Sequence, residues 1–307
     1  MAQKSIQQVV SLSFLRRFSA LILLAAGAAG LSSCSSSKLQ MTAEEQVNVA
    51  YSKATALYKK EHYEDAAAVL ESQLFASRAT PLEDDVLYLL AESYYASKQY
   101  LLSSDMYDRL LRQVPDSPYR ESSRYMLAKS YEQLSPGYEL DQEYTHKAIE
   151  AFSDYLSEYG RKDRDAVARD LDTYGELLKI DPENSSYRRG YEAARMAMAR
   201  QDSVTYAAKA IPVLHDKLAA ATFSIARQYV KLKKYKAAAI YFEGVVRTYG
   251  DTPWMKKAQA GLVEVLVKRG KWFDARRALD AYLESYPEDL EQMKGLRDEI
   301  MRSFSNS

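Results

Sequence analysis

The sequence is poor in the residues that usually carry chemistry. Its 307 residues contain one cysteine, Cys34, which excludes any fold stapled by an internal disulfide. Its three histidines, His62, His146 and His215, stand far apart, and no His-Glu-x-x-His or other metal-ligand spacing occurs. Gly-rich phosphate loops and the Gly-x-Ser-x-Gly nucleophile turn are also missing. Acid pairs do occur, at Glu44-Glu45 and Asp84-Asp85, but each opens an expected helix, where carboxylates favour the helix dipole. The run from Arg161 to Asp165 alternates in sign like a solvated helix start. Neither charge is in excess, with 42 Lys plus Arg against 42 Asp plus Glu, so there is no basic footprint for nucleic acid. No catalytic residue, metal or cofactor is expected. Glycine and proline are sparse at 11 and eight, and that scarcity points to helices. The excess lies in tyrosine, 25 residues against eight Phe and two Trp.

What is present starts at the N-terminus. Lys4, Arg16 and Arg17 precede an apolar run, Phe18 to Leu31, that is too short for a membrane span and reads as a signal peptide over 1–33. The run closes with Leu31-Ser32-Ser33-Cys34, which resembles the bacterial lipobox, where cleavage precedes a lipidated cysteine. A chance cysteine after an ordinary signal peptide is the alternative. The only cysteine of the chain standing at the cleavage point favours lipidation of Cys34. Each buried CH₂ of a lipid contributes about 0.8 kcal/mol, so several acyl chains make an effectively permanent membrane anchor. Ser35 to Lys38 carry no acid and look unlike signals for inner-membrane retention or surface display. An outer membrane anchor facing the periplasm is expected. Cleavage removes three positive charges and no negative one, leaving a mature chain of roughly 270 residues with a net charge of about −3.

Two patterns then recur with a period of 37. The first is an amphipathic stripe at i, i+3, i+4 and i+7: Leu87, Leu90, Ala91 and Tyr94, followed 37 residues later by Arg124, Leu127, Ala128 and Tyr131. It returns as Thr222, Ile225, Ala226 and Tyr229, then as Gln259, Leu262, Val263 and Leu266. The second is an aromatic, a small residue and a large apolar one. Its copies are Tyr63, Ala66, Leu70; Tyr100, Ser103, Tyr107; Tyr235, Ala238, Phe242; and Trp272, Ala275, Leu279. Small residues at fixed positions let paired helices approach closely, and the aromatics fill the space beside them. Turns follow each second helix at Val114 to Pro118, Tyr249 to Pro253 and Tyr286 to Glu288, where Asp, Ser or Thr can cap the next helix.

These offsets resemble the tetratricopeptide repeat, a helix pair with a 34-residue unit. A generic helical bundle would share the 3.6 periodicity but not two patterns with equal spacing on both sides of the middle. The expected fold class is therefore all-α, a superhelix of about five tetratricopeptide-like helix pairs. The loop Leu134 to Gln142 delays the third pair, which resumes at Ala148 and Phe152. Between Gly160 and Ala207 the repeat is absent, and an inserted helical pair, Val167 to Ile180 and Tyr187 to Gln201, is expected around a turn at Asp181 to Asn184. The organisation becomes a lipidated linker at 34–45, an N-terminal arm at 46–160, the insertion at 161–206, a C-terminal arm at 207–300 and a tail at 301–307.

The central loop is more specific than any repeat. Ser135-Pro136-x-Tyr138-x-Leu140-Asp141-Gln142-x-x-Thr145-x-x-Ala148 resembles the third repeat of the BamD family, lipoproteins of the outer membrane β-barrel assembly machinery, particularly in its Bacteroidetes form. Lys217-Leu218-Ala219, then Phe223, Ala226 and Tyr229, and the stretch Tyr235 to Thr252 are similar to that family's fourth repeat. The likeness covers roughly 46–160 and 210–290, and departs at Gly160 and Gly250, where the family has the Pro of a Tyr-Pro turn. It implies a scaffold whose C-terminal arm holds the POTRA region of a BamA-like barrel subunit and whose N-terminal arm engages unfolded outer membrane proteins. Aromatics and Arg dominate protein interfaces, which makes Tyr94, Tyr107, Tyr235, Tyr241, Arg247 and Trp254 the candidate contacts. Tyr235 reads equally as core, and Trp254 as packing at a helix start. The competing function is another periplasmic repeat lipoprotein, organising cell-wall enzymes or glycan uptake.

Overall fold

The computed structural model describes residues 41–78, 80–160 and 164–305. Cys34, the expected signal peptide and part of the Arg161 to Asp165 run lie outside them. By internal contacts the chain divides into two units, residues 1–46 and 47–307. In the first, Thr42 and Glu45 form a reciprocal capping box: the Thr42 N–H donates to the Glu45 carboxylate at 2.8 Å and the Glu45 N–H to the Thr42 hydroxyl at 3.2 Å. That box starts the first helix, so helix already occupies the last residues of the expected linker.

The described residues form twelve α-helices and no strand. They are α1 (Ala43–Lys59), α2 (Tyr63–Glu71), α3 (Glu83–Ala96), α4 (Tyr100–Gln113), α5 (Arg120–Leu134), α6 (Glu143–Tyr159), α7 (Arg164–Ile180), α8 (Ser185–Lys231), α9 (Tyr235–Thr248), α10 (Trp254–Lys268), α11 (Trp272–Ser285) and α12 (Leu290–Ser305). From α2 to α6, and again from α7 to α12, each helix packs on its predecessor, the local stacking of a repeat array. The core is accordingly a series of small apolar clusters, one within α1 to α4, one shared by α5, α6 and α8, one by α8 to α10 and one by α10 to α12.

The small residues of the second pattern stand where helices cross. Ala66, Ser103, Ala148, Ala238 and Ala275 are all fully buried, and so are Leu70, Tyr107, Phe152 and Phe242 beside them. Ser103 shows how a hydroxyl is accommodated there, donating to the Ala91 carbonyl at 3.0 Å and lying 3.2 Å from the equally buried Ser130 hydroxyl. In the first pattern Leu87, Leu90, Ala91, Tyr94, Ala128, Ala226, Val263 and Leu266 are buried as expected. Ile225 is not: it is 38% exposed, and Phe223 fills the corresponding space against Phe242 and Trp254.

The period of 37 also fixes the turn within each pair. Glu61, Lys98, Lys233 and Gly270 all have φ near +60°, each two residues before the aromatic that opens the second helix. At each site the next residue's N–H reaches back five residues, His62 to Leu57, Gln99 to Tyr94, Lys234 to Tyr229 and Lys271 to Leu266. This is the Schellman closure, which satisfies carbonyls that the helix end would leave unpaired.

The insertion differs from expectation. Asn184 caps the N-terminus of α8 through hydrogen bonds from the Ser186 and Tyr187 N–H groups, and α7 packs on α8 as an antiparallel-type pair requires. No turn follows at Ala207, however. α8 runs 47 residues through the expected boundary and through Pro212, so the second inserted helix and the first helix of the next repeat are one element. Pro212 removes one N–H donor, yet Ala207, Ala210 and Leu214 around it are buried against α5 and α6, which holds the helix together. The expected tail is likewise helical, since α12 continues to Ser305 and Phe304 packs on Phe273 at 5.0 Å. Gly160 closes α6 with its N–H on the Leu156 carbonyl at 2.8 Å; a Cβ there would lie 2.5 Å from the same oxygen.

Candidate functional site

After Leu134 the chain turns extended at Ser135, and the central loop is built from the polar residues that made it conspicuous in the sequence. The Ser135 and Thr145 hydroxyls lie 2.6 Å apart, and Thr145 donates to the Gln142 side-chain oxygen at 2.8 Å. The Gln142 amide nitrogen donates in turn to the carbonyls of Gly137 and Leu140 at 2.9 and 2.8 Å, closing the loop on itself. Asp141 accepts the Glu143 N–H at 2.8 Å, starting α6. Lys217 of α8 reaches the Ser135 hydroxyl at 2.8 Å, so residues from both halves of the chain complete one motif.

This loop and α8 wall a cleft of about 770 Å³, lined among others by Tyr138, Leu140, His146, Ile225, Lys231 and Tyr249. Leu140 is 66% exposed and Tyr138 is 42% exposed. Glu139 and Asp141 line the loop side, Arg227 and Lys231 the helix side. Exposed apolar side chains ringed by charges of both signs are the composition of a protein-recognition surface.

The residues expected to contact partners are not gathered in one place. Tyr94 and Tyr107, named as candidate contacts although the two patterns place both on buried faces, lie in the core: Tyr94 is almost fully buried and donates to Glu71, while Tyr107 is fully buried and donates to Glu92. Each occupies the inward position of its helix; the Tyr107 hydroxyl ends on the half-buried Glu92, and that of Tyr94 on the exposed Glu71. Burial, with the Glu92 carboxylate beside it, pushes the Tyr107 phenol well above its usual value. On α9, the six-residue steps between Tyr235, Tyr241 and Arg247 separate them by about 120° around the helix. Tyr235 is half-buried in the core with the Lys268 ammonium 5.6 Å from its ring. Tyr241 stacks on Tyr229 at 5.4 Å, and Arg247 is exposed in the last turn. Trp254, at the start of α10, packs on Phe223 at 5.2 Å with Lys257 4.4 Å over its face. Leu140, Ile225 and Lys217 are not among the candidate contacts, although Leu140 and Lys217 stand in the motifs that carry the family resemblance and Ile225 in the first pattern.

The histidines remain apart. His62 pairs with Asp65 at 3.3 Å, His146 lines the cleft, and His215 lies 3.5 Å from Asp251 with its ring edge-on to Tyr249. Among the described residues no group of three His, Cys, Asp or Glu could hold a metal ion, and no helix is long and apolar enough to cross a membrane.

Comparison with known proteins gives three results. Residues 43–168 match a family described as YfiO, outer membrane lipoprotein, a span that contains the central loop. No curated protein matches the sequence. Among solved structures, a thermophilic TPR protein from Thermus thermophilus, TTC0263, is similar at 15% identity over 83% of this chain and 98% of that one, with a TM-score of 0.28.

Proposed function

We propose that the chain is a lipid-anchored scaffold of the outer membrane β-barrel assembly machinery. The observation that carries this reading is the match of residues 43–168 to an outer membrane lipoprotein family, joined to the central-loop motif that lies inside the matched span. Cys34 is the proposed anchor, holding the chain on the periplasmic face of the outer membrane. The proposed partners are the POTRA region of a BamA-like subunit for the segment 207–300 and unfolded outer membrane proteins for 46–160. Support for joint action of the two segments comes from α8, whose buried Ala207, Ala210 and Leu214 share one cluster with Ala128, Ala148 and Phe152. Arg247 and Tyr241 are the proposed POTRA contacts, because one is exposed and the other only half-buried.

Co-purification of the full-length protein from solubilised outer membranes tests the reading. Recovery of a POTRA-containing barrel protein, weakened at least tenfold by Arg247→Glu, is the expected result. Recovery of a glycan transporter or a cell-wall amidase in its place would overturn it and favour a scaffold of a different assembly.

A further inference from the structure

The chain satisfies two of its cations in the same way. The Lys129 ammonium lies 3.8 Å from the Tyr206 ring centroid and 3.0 Å from the Glu132 carboxylate. The Arg200 guanidinium lies 5.6 Å from the Tyr159 ring and donates to both oxygens of Glu121, one of them at 2.6 Å. Both combine a ring face with a carboxylate, an arrangement that attracts a cation through the ring quadrupole and the full charge together.

A third set of such groups lies beside them, and the structure shows no ion pair between its carboxylate, Glu92, and a cation among the described residues. Between α3, α5, α6 and α8 is a pocket of about 370 Å³ whose walls include the rings of Tyr88, Tyr125 and Tyr155 and the carboxylate of Glu92. Glu92 accepts from the Tyr107 hydroxyl and, at 3.4 Å, from the Tyr58 hydroxyl, neutral donors that fix the carboxylate while leaving its charge unbalanced. Burial pushes its carboxyl above the ordinary range, and the tyrosine hydroxyls pull it back. A half-buried carboxylate held only by neutral donors keeps its charge unbalanced, so a cation entering this pocket gains a partner that folding left free of any cation. Met126 and Met196 supply the apolar wall that the stem of a long side chain needs, and Met196 is 63% exposed. Arg200 also lines the pocket, but its guanidinium is engaged by Glu121.

We propose that this pocket binds an arginine side chain of a partner polypeptide, its guanidinium stacked against the half-buried rings of Tyr88 and Tyr125 and paired with Glu92. Arginine suits the site better than lysine because a planar guanidinium stacks on rings and offers several donors to one carboxylate. The insertion acquires a role here, since Met196 and Arg200 of α8 lie within it and complete the pocket that the repeat helices begin.

The test titrates the full-length protein with an arginine blocked at both ends, and separately with blocked citrulline, its uncharged isostere, following tyrosine ring resonances by NMR. The blocked arginine should saturate shifts of Tyr88, Tyr125 and Tyr155, with citrulline at least tenfold weaker. Glu92→Gln should lower the arginine affinity at least tenfold, whereas Glu299→Gln, an exposed residue of α12, should leave it unchanged. Equal binding of arginine and citrulline by the native protein would overturn the proposal without recourse to any variant, as would native-like affinity in a folded Glu92→Gln protein. The probe reads this pocket directly, so the outcome is independent of which assembly the scaffold serves.

Discussion

Lys217 donates its ε-ammonium to the Ser135 hydroxyl at 2.8 Å, joining residues 82 apart in sequence. Ser135 is in turn held by Thr145, which Gln142 accepts from, so one ammonium secures a chain of hydroxyls that shapes the loop. Lys217→Met keeps the stem and removes the charge. It should destabilise the protein by about 1.5–3 kcal/mol, the range for a hydrogen bond to a charged group. Urea denaturation gives the loss, and combining the variant with Ser135→Ala should cost less than the sum of the two single losses, because the Lys217–Ser135 bond is counted in both.

The four left-handed turns offer a comparison within one molecule. Gly270 adopts φ +65° without steric cost, whereas Glu61, Lys98 and Lys233 hold φ between 56° and 64° with a Cβ present. Lys233→Gly should therefore be neutral or stabilising by up to about 1 kcal/mol, and Gly270→Ala destabilising by about 1 kcal/mol. Opposite shifts in the urea midpoint are the expected observation.

Close approach of helices makes the buried small residues sensitive to added volume. Ala238→Leu or Ala275→Leu should cost about 1–3 kcal/mol by overpacking. Gly261→Ala belongs with them, because a Cβ there would lie 2.6 Å from the ring of the fully buried Phe242. Unchanged melting temperatures in all three would mean the helix register is wrong.

At the C-terminal end, Asp289 accepts from Lys256 at 2.8 Å and from the Tyr282 hydroxyl, and these bonds, Lys256 first, hold its carboxyl below the ordinary 3.8. A lowered carboxyl contributes stability that is present above 3.8 and lost as the pH falls below it. Thermal melts at neutral pH should show Asp289→Asn less stable than the native chain. The gap should close on acidification towards about pH 2. A gap that persists there would assign the effect to shape instead of charge.

The anchor is tested by Cys34→Ala, which should release the mature protein from membranes into the soluble fraction. Quantitative retention in the outer membrane after a salt wash would show that something other than lipid on Cys34 holds it.

Sequence by itself determined the helices, their pairing and the positions of close contact. These follow from local rules: a 3.6-residue stripe buries one face, and a small residue repeated every 37 positions marks each crossing, as Ala66, Ala238 and Ala275 confirm by their full burial. It also identified the central loop, whose Ser135, Gln142 and Thr145 prove to be the atoms that build it. Tertiary structure decided the rest. The two patterns place Tyr94 and Tyr107 on buried faces, yet their residue type also made them candidate contacts, and only the tertiary structure showed the Tyr94 hydroxyl meeting Glu71 and the Tyr107 hydroxyl meeting Glu92 instead of a partner. The continuity of α8 was equally hidden, because the repeat pattern is absent between Gly160 and Ala207, and the cost of Pro212 inside the helix is offset only by α5 and α6 packed along Ala207, Ala210 and Leu214. The Glu92 pocket draws on α3, α5, α6 and α8, and no local pattern can announce a carboxylate whose neighbours arrive from four separate helices.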